Sequence, residues 1–343
     1  MSILDNLHPF FGNGVFSSDA VMKLIENGEI VWDDLEEEQI QPNTLDVRIG
    51  KTKIYSCRSH ASNPDDIKPD VVYSGEKDEP IVIPSSSYAE IEIHDKIRFD
   101  PKKYMMDMEL RSGRGRLQLL PKDNITLLDV NGKRCMGVFN LNPNDIILYG
   151  QDRFAQVFFN SSNGTSADGE IISDPEEVRD IAKACGVESL GPYLKFNSGD
   201  RVLKYRNIGQ IDTRVKYGQK ELFEEHFLPH RMRPFDPVLI QSKETISVPN
   251  DVGVRLLRRH PSAQRSYFVG PDSEFFEPFR FIVNSGWVDS GYEGKVTMQP
   301  FASLECVLGE VNPTCLGIVY RYKDKVSKPY AGHYQKQTKV LNS

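Results

Sequence analysis

Long apolar runs are missing from this chain. Nowhere do about 18 or more apolar residues follow one another, the length a membrane-spanning helix requires. The N-terminus MSILDNLHPFF also lacks the basic-then-apolar pattern of a secretory leader. These absences lead us to expect a soluble, cytoplasmic protein with no membrane partner. Cysteine is sparse as well: Cys57, Cys135, Cys185, Cys306 and Cys315 are odd in number and never spaced as CxxC. Neither a disulfide framework nor a zinc site is therefore expected, and the thiols are read as reduced and mostly buried. The seven histidines form no HExxH pair, and no GxSxG elbow or GxxxxGK[ST] loop occurs, so motif grounds for a zinc protease, a serine hydrolase or an NTPase motor are lacking. Positive charge is not in excess either. A net charge of -7 argues against broad contact with a polymeric nucleic acid backbone, although a local arginine cluster can still hold a polyanionic small molecule. The Asn-Ser-Ser at Asn160 and Asn-Gly-Thr at Asn163 read as turn chemistry.

What is present is an ordinary globular composition, 39% hydrophobic and 27% charged over 343 residues, long enough for two units that each bury a core. Ser17 or Ser18 can cap a helix whose apolar stripe is Val21, Leu24 and Ile25, with Gly28 as its stop. From Gln41 to Phe159 the pattern becomes short β-rich runs (LDVRI, IVI, YAEIEI, DIILY, FAQVFF) separated by turn residues, which suits a sandwich or barrel. A second helix is expected over Asp174–Gly186, with Pro175 near its first position and Val178, Ile181, Ala182 and Cys185 on one face. Strand signals resume at Pro237 with VLIQ, ETISV, VGVRLL, FRFIV, KVTMQ and CLGIVY. The expected organisation is a mainly β chain with an N-terminal unit over 1–160, a partly helical connector over 161–233 and a C-terminal unit over 234–343. GQDRFAQVFF and NPTCLGIVYRY read as the same late strand in the two units, a weak internal echo.

Four segments carry chemistry. Ile40–Gly50 (IQPNTLDVRIG) is a polar turn entering a strand on which Leu45, Val47 and Ile49 alternate with Asp46 and Arg48; taken alone it is a strand start. Glu109–Leu117 (ELRSGRGRL) concentrates Arg111, Arg114 and Arg116 with Ser112 and two glycines, a flexible stretch whose N–H groups, hydroxyl and guanidiniums suit phosphate oxygens. Ser285–Gln299 (SGWVDSGYEGKVTMQ) is either a hairpin with a solvated aspartate or a turn presenting Asp289 and an aromatic ring, entering a strand with Lys295, Thr297 and Gln299 on one face. Lys328–Gln337 (KPYAGHYQKQ) has no apolar stripe, so it is either a frayed end or a segment that orders over a ligand.

Together the four resemble the dCTP deaminase and dUTPase superfamily, in the family's order and over Gln41 to Gln337. IQPNTLDVRIG is similar to IQPxSLDxRLG, LRSGRGRLQL to RSSxxRLGL, SGWVDSGYEGKVTMQ to AGWIDPGFxGxITLE, and PYAGHYQKQ to the KYQGQ of a C-terminal lid. The opening FSSDAVMKLIENGEI before IQP resembles the double-length bacterial dCTP deaminases. The resemblance implies two tandem dUTPase-like units, each a distorted β-barrel or jelly roll. It implies that Arg111 and Ser112 bind a triphosphate and that Arg116 orients the water or the catalytic group. Asp289 would contact the deoxyribose, and Tyr292 would pack on it to exclude a ribose 2'-OH. Trp287, Lys328, Tyr330, Tyr334, Gln335 and Gln337 would complete nucleotide binding, the last three closing over it. The phosphate and sugar motifs, lying in different halves, would meet across an internal interface. Mg2+ would arrive bound through the substrate triphosphate, with no metal held by the protein, and a homo-oligomer would be in keeping with the family.

The implied activity is zinc-free hydrolytic deamination of dCTP to dUTP and ammonia, a step in dUTP biosynthesis, with Ser112, Arg116, Asp289 and position 299 as the catalytic set. Zinc-dependent deamination needs HxE with PCxxC, and neither occurs. At position 299, however, the family's general base is a glutamate and this chain has Gln299, an amide that takes up no proton at neutral pH. Gly113 replaces the second serine of the phosphate motif, and RRHPSAQR is no clean second copy of it. Three readings follow: Glu293 or Glu305 reaches the site, Asp289 activates water for attack on the α-phosphate of dUTP as in a pyrophosphatase, or the site binds nucleotide without turnover.

Overall fold

In the computed structural model of the chain, the described residues are 14–56, 68–121, 127–128, 134–162, 166–257, 281–283, 286–302, 305–308, 315–332 and 334–336. They are mainly strand and divide into two compact units: Phe16–Ala167 with Tyr205–Leu222, and Val15 with Asp168–Lys204 and the described residues from Phe223 onward. We call these the first and second units.

In the first unit the helix Ser18–Glu26 forms as expected, with the Ser17 side chain accepting from the Ala20 N–H and Gly28 in the left-handed region at φ +74°. Its main sheet runs in the order Tyr104–Leu110, Arg153–Ser161, Leu45–Ser56, Ser87–Ile93, Arg134–Asn140, Leu119–Pro121. A smaller sheet joins Pro80–Ile83, Asp145–Tyr149 and Gln210–Asp212. The buried core of this unit combines Leu45, Ile49, Ile81, Ile83, Ile91 and Met108 with the aromatic rings of Tyr104, Phe158 and Phe159. Each such side chain contributes roughly 1.5–3 kcal/mol on leaving water. Asn160, read as a turn residue, lies within the strand Arg153–Ser161, where its Nδ2 donates to Asp107 at 3.0 Å. Asn163 is outside the described residues.

In the second unit the strand Gly169–Ile171 leads into the helix Pro175–Cys185, capped by Asp174 and closed by Gly186 at φ +77°, with Val178, Ile181, Ala182 and Cys185 all buried. Desolvation pushes the Cys185 thiol up to about 12, and the buried Cys315 likewise, so both remain protonated thiols. One sheet runs Glu188–Leu190, Tyr193–Phe196, Cys315–Tyr322, Val252–Leu256, Trp287–Val288, and another runs Phe223–Phe227, Ser198–Tyr205, Leu239–Ser242, Thr297–Met298. Residues 161–233, read as a connector, therefore supply a helix and sheet-forming strands to the second unit and the strand Gln210–Asp212 to the first. Most of their strands are three to five residues long, and the longer Ser198–Tyr205 lacks clean alternation, so sequence patterning did not mark them.

The units repeat one order of elements. In each, a capped helix leads through a short strand to a longer one, Leu45–Ser56 or Tyr193–Phe196. That longer strand pairs antiparallel with the late strand Arg153–Ser161 or Cys315–Tyr322. The other edge of the late strand takes Tyr104–Leu110 or Val252–Leu256. FAQVFF and CLGIVY thus occupy corresponding central positions.

Candidate functional site

The arginine-rich segment of the first unit is a short helix, Ser112–Arg116, rather than a flexible stretch. Arg111 caps it in extended backbone, its N–H donating to the Phe154 carbonyl at 3.2 Å. The helix stops where Gln118 enters the left-handed region at φ +61°. Three bonds pin this stop. Tyr205 Oη donates to the Arg116 carbonyl at 2.9 Å, Asn142 Nδ2 to the Leu117 carbonyl at 3.0 Å, and the Leu141 N–H to the Gln118 carbonyl at 3.1 Å. Asn142 is in turn set by Asn140 and Asn144, a polar knot in NLNPND that sequence reading passed over.

Beneath the helix lies a carboxylate. Asp46 is fully buried, and its Oδ2 is 3.1 Å from Arg111 Nε and 3.4 Å from Arg153 Nη1. Burial pushes its carboxyl up to about 6, with the Arg111 and then the Arg153 guanidinium opposing the rise. Among the described residues its Oδ1 meets no hydrogen-bond donor. Arg114 pairs with Asp152 at 3.5 Å, while Arg116 is buried at the end of the helix and Ser112 is exposed in its first turn. The motif's other charge, Arg48, has a different task. Its guanidinium meets the fully buried Asp95 at 2.8 Å and Glu36 at 2.8 Å, and Asp95 also accepts from Gln39 Nε2, Trp32 Nε1 and the Arg48 N–H. Asp46 and Arg48 are neighbours in sequence, but one faces the arginine helix and the other ties down the chain before the strand.

In the second unit the turn Asp289–Tyr292 is built by backbone. Trp287–Val288 is a strand, Asp289 follows half-buried, and the Tyr292 N–H returns to the Asp289 carbonyl at 3.0 Å. Gly291 sits at φ +81°, and a Cβ there would lie 2.6 Å from Pro329 Cβ, so only glycine fits. Ser290 is fully buried and its hydroxyl donates to the Val252 carbonyl at 2.7 Å. Tyr292 is buried with its hydroxyl donating to the Lys295 carbonyl at 2.7 Å, and Trp287 packs against Tyr320 at a centroid distance of 5.1 Å.

The C-terminal segment folds onto this turn rather than fraying. The Tyr330 N–H donates to the Ser290 carbonyl at 2.8 Å, and its ring meets Tyr292 edge-on at 5.5 Å. Gln335 bonds at both ends of its amide, Nε2 to the Gly291 carbonyl at 3.0 Å and Oε1 from the Glu293 N–H at 3.0 Å. Tyr334 is half-buried with its N–H on Tyr330 Oη at 3.3 Å, and Lys328 is exposed. Gln337 lies outside the described residues, as does RRHPSAQR. Gln299 is buried after the strand Thr297–Met298. The alternative carboxylates Glu293 and Glu305 are exposed, Glu305 ion-paired with Arg231. Within its own unit, the structure gathers Arg111, Ser112 and Arg116 in one place and Asp289, Tyr292, Tyr330, Tyr334 and Gln335 in the other. Asp46 and Arg153 joined the first group without being expected. The Asp in IQPNTLDVRIG was visible, but its partners lie far along the chain.

Among the described residues, no three His, Cys, Asp or Glu side chains gather to hold a metal ion. No helix among the described residues is long and apolar enough to cross a membrane.

A family model described as dCTP deaminase-like matches residues 15–162. A dCTP deaminase, dUMP-forming, of Sulfurihydrogenibium sp. (strain YO3AOP1) is 37% identical over 148 residues, covering 40% of this chain and 73% of the relative. The dUMP-forming dCTP deaminase of Aquifex aeolicus (strain VF5) is 29% identical over 156 residues, covering 44% and 77%. The dCTP deaminase of Pyrobaculum calidifontis (strain DSM 21063 / JCM 11548 / VA1) is 27% identical over 157 residues, covering 45% and 88%. Among solved structures, the 2'-deoxycytidine 5'-triphosphate deaminase of Agrobacterium tumefaciens superposes with a TM-score of 0.66, covering 92% of this chain and 99% of that one at 16% identity. This last likeness speaks to the fold, which is the same over nearly the whole double length.

Proposed function

The chain belongs to the dCTP deaminase family, and from that premise we propose that it binds Mg-dCTP and hydrolyses the exocyclic amine, giving dUTP and ammonia. Water adds at C4 of the base with one of its protons passing to N3, the C4–N4 bond then breaks as C4=O forms, and the other water proton leaves on ammonia. The observation that carries the reading is the anion-ready helix Ser112–Arg116, with Arg111 at its cap and a buried carboxylate beneath it, in a chain whose net charge is negative. Arg111 and Ser112 take triphosphate oxygens and Arg116 orients the reacting group. Asp289 takes the deoxyribose, Tyr292 closes the face where a ribose 2'-OH would stand, and Trp287, Lys328, Tyr330, Tyr334, Gln335 and Gln337 enclose the nucleotide. Mg2+ travels with the phosphates, as is usual for an ion that keeps its waters and takes few protein ligands.

A second reading has its own support: two of the relatives are named dUMP-forming. In it, Asp289 activates a water for attack at the α-phosphorus of dUTP, giving dUMP and pyrophosphate. Gln299 favours this chemistry over attack at C4, because an amide is a poor proton shuttle. The protein is incubated with Mg-dCTP and with Mg-dUTP, products are resolved by ion-exchange chromatography, and ammonia is assayed. dUTP with ammonia from dCTP supports the first reading, and dUMP with pyrophosphate supports the second. Unchanged nucleotides, bound tightly by calorimetry, would refute both and leave a nucleotide-binding module.

A further inference from the structure

The two units supply an internal control for Asp46. The Phe16 N–H bonds to the Phe159 carbonyl and the Ile172 N–H to the Val319 carbonyl, so Phe159 and Val319 hold the same place in their strands. Counting back from them, Gln156, which faces Asp46, corresponds to Leu316, which faces Lys195. The same strand pair is thus built in the second unit with a half-buried lysine in place of a fully buried aspartate, and that lysine pairs outward with Glu188 at 2.8 Å. The fold does not need a carboxylate at this register. Isolated buried carboxylates are costly, so one kept where the fold tolerates its opposite calls for another reason.

Its contacts supply that reason. Asp46 reaches Arg111 at Nε, the inner nitrogen of the guanidinium, and Arg111 keeps about a third of its side chain exposed (32%). Held at that edge, the guanidinium plane is fixed and its outer nitrogens remain available to an anion, the fork geometry on which bidentate phosphate binding depends. Arg153 Nη1 shares the same oxygen at 3.4 Å and donates to the Glu38 carbonyl, which fastens the carboxylate from the other side. The charged groups facing Asp46 are therefore Arg111 and Arg153, and Glu109 lies on the far side of Gln156 in the same cross-strand row.

We propose that Asp46 is a positioning residue for the triphosphate, aligning Arg111 from beneath so that its outer guanidinium edge meets phosphate oxygens. This rests on the nucleotide reading above for the identity of the ligand, but not for its polyphosphate character. The test is a double-mutant cycle in the full chain with Asp46→Asn, Arg111→Ala and the double variant. Affinity is measured by calorimetry for Mg-dCTP and, separately, for inorganic tripolyphosphate. Asp46→Ser is made alongside, and each variant is checked for cooperative unfolding, so the cycle retains a folded member.

Either Asp46 variant is expected to weaken both probes by about tenfold or more in the Arg111 background, and by less than about twofold once Arg111 is alanine, since coupled residues are non-additive. A purely structural role for Asp46 predicts equal losses in both backgrounds, and that result overturns the proposal, as does an Asp46 variant that binds like wild type. If tripolyphosphate shows the coupling but dCTP does not bind, the positioning role holds and the nucleotide reading fails. If wild type binds neither probe, both fail.

Discussion

Replacing Gly291 by alanine should detach the C-terminal segment from its turn while leaving the second unit folded. At φ +81° an L side chain is strained by roughly 1–2 kcal/mol. Its Cβ would also fall 2.6 Å from Pro329 Cβ, 2.9 Å from Asn250 Oδ1 and 3.1 Å from the Tyr330 nitrogen. Something must move. Ser290 and Tyr292 are buried on either side of Gly291, whereas Pro329 is exposed, so the tail yields first. Moving it weakens the bonds from the Tyr330 N–H to Ser290, from Gln335 Nε2 to Gly291 and from the Glu293 N–H to Gln335 Oε1, each worth about 1 kcal/mol net. A loss of about 2 kcal/mol in docking corresponds to about 30-fold faster opening. Hydrogen exchange followed residue by residue should show that acceleration at the Tyr330, Gln335 and Lys336 amides and little change at Val254 and Val319 in the core. Tail amides exchanging at the wild-type rate would refute the docking argument, and equal acceleration in the core would show that Gly291 matters to the whole unit.

Other outcomes follow from the same contacts. Because the folded carboxyl of Asp46 sits at about 6 against an ordinary 3.8, the native state binds the extra proton between those values. Stability from this group is therefore fully present at low pH and is lost as pH rises through 6. Asp46→Asn removes the loss, so its advantage in unfolding free energy over wild type should grow by about 2 kcal/mol from pH 4 to pH 8 in urea titrations; a pH-independent difference would refute the shift. Arg48→Met strands the fully buried Asp95 and should cost about 3–5 kcal/mol by urea midpoint, whereas a neutral effect would mean the pair is not buried. Gln299→Glu restores a carboxylate at a buried position, where desolvation raises it toward the working range of a base. Ammonia release from dCTP should then rise by about 10²-fold or more, and no gain would show that position 299 does not face C4.

Local chemistry alone settled the parts whose causes lie within a few residues. Ser17 and Asp174 cap their helices, Gly28 and Gly186 stop them, and the apolar stripe of Pro175–Cys185 is the buried one. The clustering of Arg111, Arg114 and Arg116 was visible as well, though as a flexible stretch rather than the helix it forms, and the segment Asp289–Tyr292 was left open between a hairpin and a turn until Gly291 at φ +81° decided it. Tertiary structure decided whatever depends on partners distant in the chain. Asp46 and Arg153 meet from 107 residues apart, and Gln335 reaches Gly291 across 44. Nothing in IQPNTLDVRIG distinguishes a buried Asp46 beneath the arginine helix from an Arg48 that locks Asp95, since simple alternation puts residues two apart on the same face of a strand and only the packed structure says what each one meets. Short strands such as Glu188–Leu190 and Gln210–Asp212 are strands only because a sheet edge is there to accept their hydrogen bonds.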